Sequence, residues 1–124
     1  THKCLLRMQH MQQLNRIKSP ISRFIDGAVE IYLKFSRDQA GFDGCALHDP
    51  LTLATIIAPE LLTFQELYVD VDTAGGVSMG NTFADFYHVT KKPANMKVAL
   101  DVRGDDFVEL FLTRMEALSR REHD

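Results

Sequence analysis

The sequence predicts an α/β fold of about four helices and three strands, formed by a chain of 124 residues. Four segments repeat apolar residues at helical spacing, and three others alternate apolar and polar residues as strands do. Their order is three helices, three strands and a final helix. Hydrophobic residues make up 45% and charged residues 25%, which is typical of a chain able to bury a core. We expect a single domain over residues 1–124.

The first two helices are predicted from periodicity and from capping residues. Residues 5–17 repeat Leu5, Met8, Met11 and Leu14 along one side of a first helix. Ser19 followed by Pro20 predicts the start of a second helix, since serine caps helices and proline is tolerated at the first position. This helix should end near Gly41. Its predicted buried face consists of Ile21, Phe24, Ile25, Ala28, Val29, Tyr32 and Phe35 or Ser36.

A third helix is predicted from Leu51 to about Ala58. Asp49 is expected to be its N-cap, Pro50 its first residue, and Pro59 the residue that stops it.

Three extended segments and a last helix complete the fold. The segments cover residues 66–76, 77–87 and 96–102, with Gly75-Gly76 as the turn between the first two. Asp105 or Asp106 is predicted to cap the last helix. Its apolar face should carry Phe107, Val108, Phe111, Met115 and Leu118.

Composition excludes several classes of function. The net charge is −3 and both signs are mixed along the chain, so nothing resembles the basic face that a nucleic-acid polymer requires. No apolar run approaches the roughly 18 residues of a membrane span. Cys4 and Cys45 match no zinc spacing and no disulfide framework, so we expect free thiols and a cytoplasmic location.

The adjacent His48 and Asp49 are the leading candidates for chemistry. On a structural interpretation, Asp49 is only a helix cap and His48 a surface or core residue. On a functional interpretation, both side chains point into one cleft at a helix N-terminus, where Asp49 stays ionised and His48 acts as an acid. Spacing permits either. The Asp70–Asp72 pair and the "GDD" stretch at 104–106 are better explained as a solvated hairpin and a cap.

Several blocks in sequence order resemble a known family. They are "THKCLL", "GFDGCALHDPLTLATIIAPELLT", "YVDVDTAGGVSMGNTFADFY", "KKPANMKVALDV" and "FVELFLTRM", from about Thr1 to Met115. Together they are similar to the C-terminal part of the inosine–uridine-preferring nucleoside hydrolases. The resemblance implies the C-terminal portion of an open mixed sheet with flanking helices. It also implies calcium-assisted cleavage of the N-glycosidic bond of ribonucleosides to ribose and free base.

The resemblance also implies roles for particular residues. Asp49 would be a ligand of the catalytic calcium, and His48 would approach the leaving base and help to protonate it. Tyr32 and Ser36, one turn apart on the second helix, would contact the substrate, although both are equally compatible with a place in the core. The resemblance further implies a homo-oligomer.

The sequence departs from the family in what it lacks. The aspartate cluster D-x-D-P-G-x-D-D and the Asn- and Glu-rich segment that grips ribose do not occur, and "VDVDTAGG" and "RGDD" are not substitutes for them. We therefore expect weak calcium binding and no useful turnover by this chain alone. The main alternative is a truncated, non-catalytic remnant that acts as an oligomerisation module. A His–Asp phosphohydrolase is a third class, but it would need further ligands at helical spacing.

Overall fold

The computed structural model describes residues 1–41 and 43–121, without the side chains of residues 39 and 40. The predicted α/β class is confirmed, and so are four α-helices: α1 (Met8–Asn15), α2 (Pro20–Phe35), α3 (His48–Ile57) and α4 (Gly104–Arg121). Among the described residues the strands number six rather than three, and they form three separate two-stranded sheets. They are β1 (Leu5–Leu6), β2 (Cys45–Ala46), β3 (Leu62–Leu67), β4 (Val69–Val71), β5 (Thr82–Ala84) and β6 (Met96–Val102).

The chain divides into two compact units. The first contains Thr1–Leu61 and the C-terminal part from Val102, and the second contains Leu62–Asp101. The single domain expected over residues 1–124 therefore stays a prediction. Within the described ranges, no helix is both long and apolar enough to cross a membrane.

In the first unit, strand pairing shortens the predicted first helix. β1 and β2 are antiparallel, with Leu5 opposite Ala46 and Leu6 opposite Cys45. Leu5 and Leu6 are thus extended, and α1 begins only at Met8. The helix predicted to start at Leu5 was wrong at this end because the strand partners lie 41 and 39 residues away in sequence, and helical periodicity gives no sign of them.

The start and the end of α2 follow the prediction. The Ser19 hydroxyl accepts a hydrogen bond of 2.9 Å from the Ser22 backbone N–H, and Pro20 is the first helical residue. After Phe35 the helix widens into a π-helical turn, Ser36–Ala40. It ends at Gly41, whose φ of 68° is a left-handed conformation that glycine adopts without strain.

The buried face of α2 was only partly predicted. Val29 and Ser36 are buried and Ile21 and Ile25 half-buried, but Ala28 is exposed. Three large residues are also mostly exposed: Phe24 (77%), Tyr32 (58%) and Phe35 (60%). Within the first unit α2 packs against α1, α4 and β2.

The predicted caps of α3 and α4 were wrong. α3 begins at His48 with Leu47 as N-cap, and Asp49 is its second residue rather than the cap. The Leu47 N–H donates a 3.0 Å bond to the Cys4 carbonyl, so the pairing of β1 with β2 fixes the point where the helix begins. α4 likewise begins at Gly104, one residue before Asp105.

The apolar face of α4 is buried mainly at its start. Phe107, Val108 and Leu112 are buried, whereas Phe111 and Met115 are half-buried. Leu118, predicted to lie on this face, is 44% exposed.

The second unit contains the predicted hairpin. β4 and β5 are antiparallel, with Val69 opposite Ala84 and Val71 opposite Thr82. The Asn95 side chain makes two hydrogen bonds with Val69 of β4. It accepts one of 2.8 Å from the Val69 N–H and donates one of 2.9 Å to the Val69 carbonyl. Leu67 and Val69 are buried, and Val71 is 47% exposed.

Candidate functional site

The candidate pair His48 and Asp49 lies at the junction of β2 and α3. Both side chains are exposed, and both residues belong to the first turn of the helix. The His48 carbonyl accepts a 3.2 Å bond from the Thr52 hydroxyl one turn later. Both side chains are therefore accessible at a helix N-terminus, and their convergence on one cleft stays a prediction.

His2 lies beside His48, a neighbour that sequence reasoning missed. The two ring centroids are 6.4 Å apart and the rings meet edge to face at 85°. The residues come together because the antiparallel pairing of β1 with β2 brings the chain before Leu5 alongside the chain after Ala46. Only the register of these two short strands would have predicted this contact.

Asp49 lines a groove of about 400 Å³ between α3 and α4. Apart from Asp49 and Arg114 the lining is apolar, and it includes Leu53 on α3 and Phe111 and Met115 on α4. The helix macrodipole favours a negative charge in the first turn, where Asp49 stands.

The two predicted substrate contacts have different environments. Tyr32 on α2 is 58% exposed, whereas Ser36 is 9% exposed. α2 packs against β2, the strand that leads into His48. In the described part of the chain, no hydrogen bond connects the side chains of Tyr32 and Ser36 with those of His48 and Asp49.

The described residues do not form a complete metal site. Within residues 1–41 and 43–121, no group of three or more His, Cys, Asp and Glu side chains is placed to hold a metal ion. Calcium takes about six to eight oxygen ligands, and the Asp49 carboxylate has two oxygens. Asp49 has the right chemistry for one ligand of such a site, but the residues described here do not supply the rest.

Asp70 and Asp72 of the second unit already have hydrogen-bond partners. Asp70 accepts a 2.8 Å bond from the Tyr68 hydroxyl, which lowers the pKa of the Asp70 carboxyl. A hydrogen bond from Ser78, with a second from the Ala74 N–H, lowers the pKa of Asp72 in the same way.

In the "GDD" stretch, Asp106 also has a charged partner. The Asp106 carboxylate lies 3.3 Å from the guanidinium of Arg103, three residues earlier, and the two form an ion pair.

Comparison with known proteins identifies the family. The family model described as inosine-uridine preferring nucleoside hydrolase matches residues 1–109. The chain belongs to this nucleoside hydrolase family. The C-terminal resemblance drawn from the sequence blocks is therefore confirmed at the level of the family.

Individual nucleoside hydrolases agree with this assignment. The chain is 34% identical over 117 residues to the pyrimidine-specific ribonucleoside hydrolase RihA of Escherichia coli O8 (strain IAI1), covering 94% of this chain and 38% of that protein. It is 34% identical over 116 residues to the RihA of Klebsiella pneumoniae (strain 342), covering 93% of this chain and 37% of the relative.

Solved structures show the same fold. A purine-preferring ribonucleoside hydrolase from Gardnerella vaginalis superposes with a TM-score of 0.80 at 28% identity, over 93% of this chain and 36% of that one. A plant nucleoside hydrolase superposes with a TM-score of 0.81 at 24% identity, which shows the fold alone. The chain thus spans less than two fifths of the length of the nucleoside hydrolases that it matches.

Proposed function

We propose that His48 and Asp49 form part of a ribonucleoside hydrolase site, which splits the N-glycosidic bond of a ribonucleoside into ribose and free base. The observation that carries the proposal is the exposed His-Asp pair in the first turn of α3, within the segment that matches the family model. The names of relatives with either base preference support ribonucleosides as the substrate class.

His48 is proposed to assist departure of the base. As the C–N bond breaks, positive charge develops on the ribose and negative charge on the base, so a proton donated to the base lowers the barrier. Imidazole suits this task because its ordinary pKa lies near neutral pH. The exposed position of His48 leaves room for a substrate beside it.

Asp49 is proposed to be one calcium ligand. Its carboxylate is a hard oxygen donor, which is the type that calcium prefers. The described residues by themselves complete no cation site. For the same reason we propose that the chain alone binds calcium weakly and gives no useful turnover.

Tyr32 and Ser36 are proposed to contact the substrate in different ways, because Tyr32 is exposed and Ser36 is buried. The exposed Tyr32 ring is able to stack on a nucleobase, as aromatic side chains commonly do. The buried Ser36 hydroxyl is suited only to a group that reaches the end of α2.

The free state of the two cysteines indicates a cellular location. Both Cys4 and Cys45 are free and buried. A reducing compartment maintains free thiols, so we propose a cytoplasmic location.

A chimera tests the proposed function. The segment of E. coli O8 RihA that matches this chain is replaced by the chain, and ribose release from uridine and inosine is measured with calcium. We expect turnover that falls by about 10²–10⁴-fold with His48→Asn, the usual contribution of a general acid. His88→Asn, at an exposed histidine of the second unit, is the matched control and should retain activity.

Asp49 is tested separately in the same chimera. Asp49→Asn should raise the calcium concentration needed for half-maximal rate, because a neutral amide binds calcium less tightly than a carboxylate. A chimera that is folded by circular dichroism and melts cooperatively, yet releases no ribose, would contradict the proposed function.

The second candidate function is a non-catalytic assembly module. It is favoured by the large apolar side chains that α2 leaves exposed. A folded but inactive chimera, together with self-association of the chain, would support this alternative.

A further inference from the structure

His2 is the residue whose side chain lies against the ring of His48. The two rings meet edge to face at 85°, with their centroids 6.4 Å apart, and both residues are exposed. Aromatic rings attract each other in this arrangement when their centroids are about 4.5–7 Å apart. Among the described residues, the His48 side chain takes part in no hydrogen bond or ion pair. The ring contact with His2 is therefore the interaction that favours one direction of the His48 ring.

The backbone around His2 is held in place by hydrogen bonds. The Cys4 N–H donates a 2.8 Å bond to the Thr1 carbonyl, which closes a turn around His2. The Cys4 carbonyl accepts a 3.0 Å bond from the N–H of Leu47, the residue before His48. Cys4 is buried, so the residue that makes both bonds lies in the core. Through Cys4, the turn that carries His2 is joined to the chain that leads into His48.

Helix α4 supports the same turn. Its first residue, Gly104, lies so close to Lys3 that a Cβ at this position would overlap the Lys3 carbonyl. Lys3 follows His2 directly, so this close approach leaves the turn little room to move. His2 thus places an exposed ring on a fixed backbone, which is what a residue that orients a neighbouring side chain requires.

Orientation matters for the reaction proposed for His48. A general acid must bring its donor atom to about 2.6–3.2 Å from the atom that takes the proton. An exposed imidazole that rotates about its χ angles carries its ring nitrogens out of this range, and a misplacement of about 1 Å is enough to cost roughly 10²-fold in rate. A contact that restricts the rotation of the His48 ring therefore raises the fraction of molecules ready to react.

From this geometry we propose that His2 is a positioning residue, whose ring holds the His48 imidazole in the orientation from which a proton reaches the leaving base. The inference rests on the proposed function and deepens it, because it gives a part to a residue outside the His48–Asp49 pair. His2 itself transfers no proton and touches no reacting atom. The property that matters is its ring, so another aromatic residue should be able to replace it.

The strength of one edge-to-face pair sets the size of the effect. Expressed as a ratio of populations, such a pair favours the oriented state by about 2–12-fold. Loss of the His2 ring should therefore lower kcat by about 2–10-fold, well below the loss expected for His48 itself. KM should stay nearly constant, because the oriented imidazole assists the bond-breaking step and not the binding of the substrate.

Steady-state kinetics of the RihA chimera on uridine test the proposal. His2→Asn removes the ring but keeps a polar side chain, whereas His2→Phe keeps a ring and removes both ring nitrogens. We expect His2→Asn to lower kcat by about 2–10-fold at unchanged KM, and His2→Phe to retain nearly the full kcat. His88→Asn is the matched control and should leave both constants unchanged. Thermal unfolding followed by circular dichroism verifies that all variants are equally folded at the assay temperature.

A double-mutant cycle shows whether His2 acts through His48. When His48→Asn is already present, adding His2→Asn should cause no further loss, because no imidazole remains to be oriented. A further loss of the same size would overturn the proposal, and so would an unchanged kcat in His2→Asn or a His2→Phe variant as slow as His2→Asn. Turnover that does not depend on His48 is a different result, because it would contradict the proposed function and remove the role of His2 with it.

NMR of the isolated chain checks the contact independently of activity. A NOESY spectrum should contain a cross-peak between the ring protons of His2 and those of His48. His2→Asn should shift the ring-proton resonances of His48, and His88→Asn should not. If the cross-peak is absent, or if the His48 resonances do not respond to His2→Asn, the proposal is overturned even where the chimera is active.

Discussion

The cap of α2 is a site where one atom can be removed and the cost derived from the structure. Ser19→Ala deletes the hydroxyl that accepts the Ser22 N–H at 2.9 Å. The other hydrogen bonds of this turn use the Ser19 carbonyl, which accepts from the Ser22 hydroxyl at 2.9 Å and the Arg23 N–H at 3.2 Å. Because the substitution leaves the carbonyl in place, it isolates the side-chain cap.

Burial determines the magnitude. An exposed cap contributes about 1 kcal/mol, since water partly replaces the lost acceptor. Ser19 and Ser22 are both 0% exposed, so in the variant the Ser22 N–H has no access to water. An unsatisfied buried donor costs about 1–3 kcal/mol, so we expect a loss of about 2 kcal/mol in the free energy of unfolding.

Urea and thermal unfolding measure this loss. For a chain of this length, about 2 kcal/mol lowers the Tm by roughly 6–8 °C. Thr52→Ala is the control, because it removes an exposed hydroxyl that bonds only to the His48 carbonyl one turn earlier, and it should change stability by less than about 0.5 kcal/mol. Ser19→Ala with the same small effect as the control would refute the argument from burial.

Three further predictions concern other parts of the fold. Gly104→Ala should lower the free energy of unfolding by about 1–3 kcal/mol in urea, because the alanine Cβ would overlap the Lys3 carbonyl. Alanine favours helices, so a stabilised variant would show that helix propensity prevails. Hydrogen bonds lower the pKa of Asp72, so the stability they give is present above the ordinary pKa and is lost as the pH falls through the lowered one. In an NMR titration Ser78→Ala should raise the Asp72 pKa, and an unchanged value would contradict the assigned cause. Burial raises the pKa of the Cys4 thiol, so a disulfide reagent at pH 8 should modify the thiol slowly in the folded chain and quickly in urea. Equal rates in the two conditions would contradict the burial of Cys4.

Local signals in the sequence were sufficient for several features of the fold. Ser19-Pro20 predicted the start of α2, and Gly41 its end, because caps and left-handed turns depend on neighbouring residues only. The hairpin of β4 and β5 was predicted by alternation on either side of Gly75-Gly76.

Features that depend on distant partners were not predictable in this way. Leu5 and Leu6 satisfy a helical pattern, yet they are extended because Cys45 and Ala46 pair with them. The same pairing fixes Leu47 as the N-cap of α3 and removes that role from Asp49.

The candidate site likewise combines features set by neighbouring residues with features set by distant ones. Sequence alone places His48 beside Asp49 near a helix start, since both belong to one local motif. The approach of His2 to His48 depends on strand register. The exposure of Tyr32 and the burial of Ser36 depend on which neighbours cover α2, and periodicity describes only the helix itself.

Ribose release from uridine in the presence of calcium, measured in parallel for the isolated chain and for the RihA chimera that contains it, tests the central claim most directly. The claim is that His48 and Asp49 are one part of a nucleoside hydrolase site. It predicts no ribose above background from the chain alone, and release by the chimera that His48→Asn largely removes. Turnover by the isolated chain that depends on His48, or turnover by the chimera that does not, would contradict it.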